Sequence, residues 1–294
     1  MLNLELIKST LDGIRKYSFY GEGVVLFGGG GKYFINAYLN VKLLRFLGCK
    51  LPIEWFYIPG ECDDRHERIV ANLSDVTFRE IKGLPNLTPN LPRDGGGWQS
   101  KFFAILQSTF DNVIYLDSDC FCQTDPTFLL SCDEFKKYAA MMWYDGFSWN
   151  LYQPWFNKNL EELRRQFPSV RFNTPMTFET GQLVISKNRL GDIIYYATEL
   201  NRWWHRTFRL SLGDKEALYI ACETYQRPFY AVPRFPDVVD NAFVQYAPDC
   251  VTHLFSHCFA SKWDHTCHCY TTPKILPHYK EMQEWCRELI PRMS

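Results

Sequence analysis

The sequence predicts an α/β fold, and three observations carry that prediction. A chain of 294 residues with 46% apolar side chains can bury one large core. Residues 23–27, 33–47 and 53–58 form an apolar run, a helical spacing and a second apolar run, the β-loop-helix-β unit of parallel sheets. Residues 113–119 (Val-Ile-Tyr-Leu-Asp-Ser-Asp) are β-branched and too short for a helix, which predicts a buried central strand. No repeat or linker divides the chain, so one domain is the simplest account.

The remaining elements follow from local patterns along the chain. Gly48 ends the first helix, and the polar segment 61–97, rich in proline and glycine, contains one short strand at 76–81. Pro126 favours the start of a short helical stretch, because proline fits the first helical turn. Beyond Tyr225 the chain is rich in proline and has short strands. Further strands are predicted at 139–144 and 180–186, and helices at 1–17, 98–110, 196–206, 215–222 and 280–289.

Charge and composition narrow the possible partners and surroundings. The 32 basic and 33 acidic residues leave no net field that would attract nucleic acid or an anionic membrane, so local groups must hold any bound phosphate. The N-terminus lacks the apolar segment of a signal peptide, and no apolar run of membrane-spanning length follows. The 11 cysteines are odd in number and lack C-x-x-C pairs, which favours reduced thiols. The chain as written is therefore expected to be soluble and cytoplasmic.

Two carboxylates close the central strand, Asp117 and Asp119. In an extended chain residues i and i+2 point to the same side, so both can face one ligand. Open α/β sheets bind their ligands beyond the carboxyl ends of such strands, and hard divalent cations prefer oxygen ligands. The pattern therefore predicts a cation site. A strand end capped by solvated turn acids would give the same residues.

The glycines that follow the first strand do not form a known phosphate motif. A P-loop would need serine or threonine where Tyr33 stands, and the dinucleotide spacing is also missing. Residues 28–31 remain a loop of small residues at a helix N-terminus, where a nucleotide could approach backbone N–H groups. A plain tight turn is the alternative.

Two other chemistries compete for the acidic and sulfur-containing motifs. A phosphatase of the haloacid dehalogenase type also uses Asp-x-Asp at a strand end, but Cys120 follows here and Leu218 stands where its second acid belongs. The C-x-C spacing of Cys120 and Cys122 fits one face of a strand better than a zinc site. The dense run His265-Thr-Cys267-His268-Cys269 leaves a zinc site as an alternative for this segment.

Several other polar residues are candidates for the same site. Lys101 precedes the central strand and could reach a diphosphate, although a solvated helix lysine has the same spacing. Glu179 and Gln182 stand at a strand start and could bind sugar hydroxyls. Asp214 is a natural helix cap with charged neighbours. His257 arrives late in a chain that already offers two carboxylates, which makes it a metal candidate.

The order of these motifs resembles that of glycosyltransferases with the GT-A fold, and more narrowly the fungal α-mannosyltransferase family of the MNN1/MNN2 type. The resemblance covers roughly residues 24–263. Phe255-Ser-His257 with Lys262 is also similar to the histidine and lysine that close the site in glycogenin-like families. The other stretches that carry the resemblance are Gly30-Gly31-Lys32-Tyr33, Leu44-Arg45, Leu51-Pro52, residues 101–110, Leu116-Asp-Ser-Asp119, Asp125-Pro126, Trp143-Tyr-Asp145, Phe178-Glu-Thr-Gly-Gln182 and Gly213-Asp-Lys-Glu216.

The resemblance implies a fold, an activity and a location. The fold would be a Rossmann-like mixed sheet flanked by helices, with a nucleotide-binding half at about 20–145, an acceptor-binding half at about 146–270 and a C-terminal helix at about 275–294. The activity would be metal-dependent, retaining transfer of a hexose, most simply mannose from GDP-mannose, to a glycan hydroxyl. A UDP-sugar donor, an Asp-x-Asp phosphotransferase and a non-catalytic glycan- or partner-binding domain are the alternatives. Family members are Golgi proteins with an N-terminal anchor, so the chain is either a catalytic core or a cytoplasmic relative of viral or protist origin.

The resemblance also assigns roles to individual residues. The metal, Mn²⁺ or Mg²⁺, would be held by Asp117, Asp119 and His257. The nucleotide and its diphosphate would be bordered by Phe27, Gly28, Gly29, Tyr33, Lys101, Ser118 and Lys262, together with both aspartates. The donor sugar and the acceptor would be surrounded by Asp145, Glu179, Gln182, Asp214 and Glu216.

Overall fold

A seven-stranded mixed sheet forms the centre of the molecule. The computed structural model describes residues 19–82, 97, 100–146, 161, 164–165, 168, 178–202, 215–269, 271 and 274–293. The strands of this sheet are β1 (Glu22–Phe27), β2 (Ile53–Tyr57), β3 (Val76–Glu80), β4 (Asn112–Asp117), β6 (Ala140–Tyr144), β7 (Phe178–Ser186) and β8 (Tyr230–Ala231).

The strands lie in the order β3-β2-β1-β4-β7-β6-β8. The pairs from β3 to β4 are parallel, whereas β7 runs antiparallel to both β4 and β6. Strand β4 thus lies between its parallel and antiparallel neighbours, and its apolar residues are fully buried, as in sheets covered on both faces. The predicted α/β class, a Rossmann-like mixed sheet flanked by helices, is confirmed.

A second, four-stranded antiparallel sheet joins the first at the end of β4. It has the order β5-β11-β10-β9, and the chain enters it from β4 through a turn at Ser118 and Asp119. Its strands are β5 (Cys120–Cys122), β9 (Asp237–Val239), β10 (Ala242–Tyr246) and β11 (His253–His257). In the β5–β11 pair His257 lies opposite Cys120, so this sheet carries a residue from late in the chain to the end of the central strand.

Helices cover both faces of the large sheet. Successive residues of a strand point to opposite faces, and accordingly Val24 and Leu26 belong to one hydrophobic cluster and Val25 to the other. In the described part of the chain, no helix has the length and apolar character needed to cross a membrane. The helices are α1 (Gly31–Phe46), α2 (Asp64–Val70), α3 (Ser100–Gln107), α4 (Asp133–Tyr138), α5 (Lys187–Arg202), α6 (Glu216–Thr224) and α7 (Tyr279–Met293), with a 3₁₀ helix at Pro126–Leu130.

The first cluster packs α1, α2, α7 and the second sheet against one face. The second cluster packs α3, α5 and α6 against the other face. Because helices cover both faces of the sheet, the carboxyl ends of the parallel strands form the edge at which a ligand can bind. The candidate residues lie at this edge.

Two local predictions differ from the structure, and one helix was missed. The central strand ends at Asp117 rather than Asp119, because the chain turns there to enter the second sheet. Helix α5 begins at Lys187, well before the predicted residue 196, and non-helical dihedral angles at Leu190 interrupt the periodic signal. Helix α2 was not predicted, since it lies in a polar segment and begins with a capping box formed by Asp63 and His66.

Two predictions on organisation stay predictions. The N-terminal helix at 1–17 lies outside the described residues. The division near residue 146 into nucleotide-binding and acceptor-binding halves is likewise not decided by the arrangement of the two sheets.

Candidate functional site

Three potential metal ligands meet where the two sheets join. Asp117 ends β4, Asp119 lies in the following turn, and His257 ends β11. One ligand atom of each residue lies within 4.8 Å of those of the other two. Asp119 and His257 are buried, whereas Asp117 is partly exposed. Two carboxylates and an imidazole suit Mn²⁺ or Mg²⁺, and the exposed side leaves room for substrate oxygens.

Asp117 is held by two groups from the same face of the sheet. The Lys101 ammonium donates to its Oδ2 at 2.9 Å and to the carbonyl oxygen of Thr180 at 3.1 Å. The Tyr115 hydroxyl donates to its Oδ1. Lys101 is almost fully buried, so it is not a solvated helix lysine. The carboxylate is therefore fixed in orientation and balanced by a nearby positive charge.

Asp119 has Lys262 as its cationic partner. The Lys262 ammonium donates directly to Oδ2, and His257 Nε2 lies 3.6 Å from Oδ1. Burial alone would raise the pKa of Asp119, but the charges of Lys262 and His257 outweigh it and hold the pKa well below its usual range. Asp119 is thus a buried anion, and a metal ion would compete with Lys262 for the same oxygen.

His257 lies between two carboxylates. Its Nδ1 is 3.5 Å from Oε1 of Glu179, without the geometry of a hydrogen bond to any residue that the structure describes. Burial would lower the pKa of His257, but Glu179 and Asp119 raise it to about 10. A metal-ligating imidazole is neutral, so binding a metal through His257 must release a proton. The residues present fit a divalent cation, since two carboxylates and an imidazole whose ligand atoms lie within 4.8 Å of one another are a suitable donor set.

A second charged cluster lies beside the first. Lys215, just before α6, places its ammonium 2.7 Å from Oδ2 of Asp145 and 3.4 Å from Oε2 of Glu179. Asp145 follows β6, and Glu179 lies on the adjacent antiparallel strand β7. Burial alone would raise the pKa of Glu179, but Lys215 and His257 keep it well below its usual range. Glu179 is therefore an anion that connects the two clusters.

Gln182 is fully buried beneath this region. Its amide nitrogen donates to the side chain of Gln245, and its oxygen accepts from the Cys120 thiol at 3.2 Å. The predicted contact of Gln182 with a donor sugar stays a prediction. Asp214 lies outside the described residues, and so does the side chain of Glu216, although its backbone begins α6.

The glycine loop approaches the same site from β1. Phe27 pairs with Asp117 in the sheet, and a Cβ on Gly28 would lie 2.9 Å from Cβ of Ser118. A Cβ on Gly29 would lie 2.6 Å from Cβ of Tyr57. The loop therefore needs glycine for close backbone approach, which a plain tight turn would not require. Tyr33 is partly exposed, and its ring centroid is 5.8 Å from the Lys262 ammonium.

Two buried asparagines on α1 hold this site together and were missed in the sequence. Asn36 donates to the carbonyl oxygen of Trp263 at 2.8 Å and accepts from its N–H at 3.1 Å, which fixes the segment that carries Lys262. Asn40 donates to the carbonyl oxygen of Cys120 at 2.7 Å, just after the Asp119 turn. The available signal was a polar residue on an otherwise apolar helix face.

Gly181 leaves space for the imidazole of His257. A Cβ at this position would lie 2.6 Å from Cε1 and 2.7 Å from Nδ1 of that ring. Gly181→Ala is expected to displace the ring and weaken Mn²⁺ binding on the order of 10-fold or more, which titration calorimetry measures. Gly191→Ala is the matched control, because a Cβ there meets nothing within 4 Å. Equal Mn²⁺ affinity of the G181A variant and the unaltered chain would argue against His257 as a ligand.

The chain is similar in sequence to fungal mannosyltransferases. The family model described as "Mannosyltransferase putative" matches residues 21–176, more than half of the 294 residues. The α-1,2-mannosyltransferase MNN2 of Candida albicans is 34% identical over 133 residues, which cover 45% of this chain and 22% of that protein. MNN23 of Candida albicans is 24% identical over 265 residues, covering 74% of this chain and 43% of that protein. The chain thus spans less than half the length of these relatives.

Two solved glycosyltransferase structures are among those to which the chain is similar. The galactosyltransferase LgtC, in complex with donor and acceptor sugar analogues, has a TM-score of 0.45 and 16% identity, over 71% of this chain and 73% of that chain. Mouse xyloside xylosyltransferase 1 has a TM-score of 0.45 and 12% identity, over 72% of this chain and 85% of that chain.

The family match includes part of the site. It contains the glycine loop, Lys101, both aspartates of the metal cluster and Asp145. His257, Lys262 and Lys215 lie beyond it and reach the same place through the second sheet and α6. The resemblance to fungal mannosyltransferases that the motif order indicates is confirmed. The chain belongs to this mannosyltransferase family.

Proposed function

We propose that this chain is a metal-dependent, retaining mannosyltransferase that moves mannose from GDP-mannose to a hydroxyl group of a glycan. The observation that carries the proposal is the convergence of Asp117, Asp119 and His257 at the carboxyl end of the central strand. Family membership supports mannose as the sugar, and the names of the relatives support an α-1,2 linkage.

Positive charge is what the departing nucleoside diphosphate needs. When bound by Asp117, Asp119 and His257, Mn²⁺ or Mg²⁺ would act as a Lewis acid toward the diphosphate. Lys262 donates to Asp119, and its ammonium would be available to a phosphate oxygen if that carboxylate held a cation instead. Lys101 keeps its contact with Asp117 and supplies a second, buried positive charge beside that carboxylate. The contacts of Lys101 are already formed, so its charge is preorganised and needs no further rearrangement to stabilise the leaving group.

The second cluster suits the sugar side of the reaction. Asp145 and Glu179 are buried carboxylates whose charges are balanced by Lys215. Because the pKa of Glu179 is held low, at neutral pH it can accept hydrogen bonds from sugar hydroxyls but cannot act as a general acid. The proposed roles of Asp214 and Glu216 toward the acceptor rest on the resemblance alone.

Metal-dependent nucleotide binding is the direct test of this function. Titration calorimetry of the whole chain with GDP and with UDP, each with and without Mn²⁺, should give GDP binding that depends on the metal. Absence of any metal-dependent nucleotide binding would contradict the transferase. Preference for UDP would move the donor to a UDP-sugar and leave the transferase in place.

Two further assays address the other classes. Incubation with GDP-mannose, Mn²⁺ and a mannose oligosaccharide should release GDP and lengthen the oligosaccharide. Release of phosphate from p-nitrophenyl phosphate, without either of these products, would favour the phosphotransferase. Metal-dependent GDP binding without any turnover would favour a non-catalytic binding domain.

A further inference from the structure

Three aromatic rings form a column at the edge of the large sheet. Phe178 stacks on Tyr144, with ring centroids 5.3 Å apart and an angle of 22° between the ring planes. Tyr144 in turn stacks on Phe235, at 4.6 Å and 20°. The column runs from the core to the surface, since Phe178 is 1% exposed, Tyr144 is half-buried and Phe235 is 68% exposed. The outermost ring therefore presents an aromatic face at the surface.

This column lies at the same edge of the sheet as the metal cluster. Tyr144 ends β6, which runs parallel to β4 because both strands pair antiparallel with β7. Strand β8 is parallel to β6, so the chain leaves β8 toward the carboxyl edge and reaches Phe235 there. Strands β4 and β8 are three positions apart in the sheet, which is about 14 Å at the usual spacing of neighbouring strands. A ligand of several sugar units can therefore extend from the metal cluster to Phe235.

The two inner rings connect the column to the second charged cluster. Phe178 directly precedes Glu179, and Tyr144 directly precedes Asp145. The Lys215 ammonium lies 2.7 Å from Oδ2 of Asp145 and 3.4 Å from Oε2 of Glu179. Ligand sites combine apolar and aromatic surface with a few placed polar groups, and a pyranose ring needs both kinds of contact. Both are present along this edge of the sheet.

The backbone around Phe235 is held on both sides. The Nη1 atom of Arg234 donates to the carbonyl oxygen of Cys250 at 2.6 Å, and the same guanidinium lies over the ring of Tyr246. On the other side, Pro236 restricts the backbone conformation of the residue before it. The position of the Phe235 ring is therefore set before a ligand binds, so little conformational entropy is lost there on binding.

We propose that Phe235 is a stacking platform for a pyranose ring of the acceptor glycan, beyond the sugar that receives the transferred residue. One face of a pyranose carries C–H groups, and these pack on the electron-rich face of an aromatic ring. This inference rests on the proposed function, which supplies the glycan acceptor. Covering Tyr144 needs only an apolar side chain, whereas stacking of a sugar needs a ring, so Phe235→Leu distinguishes the two explanations.

Titration calorimetry of the whole chain with linear mannotriose, supported by saturation-transfer NMR, is the primary test. We expect the F235L variant to bind mannotriose on the order of 5-fold more weakly than the unaltered chain, because leucine offers no ring face. The F235W and F235Y variants should retain the affinity. Val251→Ala is the matched control, because Val251 is also an exposed apolar residue and lies in the loop between β10 and β11. Equal affinity of F235L and the unaltered chain, or no binding of mannotriose by the unaltered chain, would overturn the proposal.

Acceptor kinetics locate the platform along the glycan. With GDP-mannose as donor, F235L should raise the KM for mannotriose and leave kcat nearly unchanged, because the ring does not touch the reacting atoms. The KM for methyl α-mannoside should change less, since a single sugar at the reacting position does not extend to Phe235. An equal increase in KM for both acceptors would contradict a platform beyond the reacting sugar.

Failure of the platform and failure of the proposed function give different results. Mannotriose binding that depends on the ring, without metal-dependent GDP binding, would support the sugar site and contradict the transferase. Metal-dependent GDP binding, with equal mannotriose affinity in F235L, would support the transferase and overturn the sugar site. Sedimentation tests a second copy of this chain as the occupant. Self-association that F235L abolishes, without mannotriose binding, would assign Phe235 to a dimer interface and overturn the proposal.

Discussion

Asp119→Asn is expected to abolish metal-dependent GDP binding and to lower GDP-mannose hydrolysis on the order of 10²-fold or more. Asp119 is buried, and the charges of Lys262 and His257 keep its pKa low. Asparagine has nearly the same shape but carries no charge, so it cannot hold a divalent cation against the positive charge of Lys262. The loss should therefore appear in metal affinity and in turnover together.

Hydrolysis is measured by separating GDP from GDP-mannose, with Mn²⁺ present and no acceptor. Circular dichroism and thermal unfolding of the D119N variant show whether the fold survives the loss of this carboxylate. Asp249→Asn is the matched control, since Asp249 is an exposed loop carboxylate that accepts hydrogen bonds from Val251 and Thr252. Full activity of the folded D119N variant would show that the metal site has been assigned wrongly.

Much of this site could be predicted because its central residues directly follow strands that are recognisable in the sequence. Asp117 and Asp119 follow a recognisable strand, and the glycine loop follows another, so parallel pairing alone brings them to one edge. His257 could be predicted only as a late candidate. Its place depends on β5 and β11, and a three-residue strand such as β5 carries almost no periodic signal.

The ion pairs could not be predicted from the sequence. Lys262 and Asp119 are 143 residues apart, and Lys215 and Asp145 are 70 residues apart. The sequence shows which charged residues are present. Which carboxylate each lysine contacts depends on how the second sheet and α6 pack.

Lys215→Met should lower the free energy of unfolding by about 3 kcal/mol at pH 7, because it leaves two buried carboxylates without their shared cation. The Asp145 side chain is fully buried and that of Glu179 is 2% exposed, so water cannot replace the ammonium. Urea unfolding measures the difference. Lys50→Met, at an exposed position, is the matched control and should change stability little. A K215M variant as stable as the unaltered chain would show that the bridge contributes no net stabilisation.

The pH dependence separates this electrostatic cause from a packing defect. In the unaltered chain the pKa of Glu179 is depressed, so its stabilisation is present above the ordinary value of 4.5 and is lost as pH falls through the folded-state pKa. Burial raises the pKa of Glu179, and the positive charge of Lys215 lowers it. Without Lys215 the pKa of Glu179 therefore rises. The stability gap between the two proteins should therefore narrow as the pH is lowered from 7 toward 4.5. The double variant D145N/K215M should recover part of the loss at pH 7, since one of the two carboxylates is removed. A gap that stays constant with pH, with no recovery in the double variant, would assign the loss to packing of the lysine side chain instead.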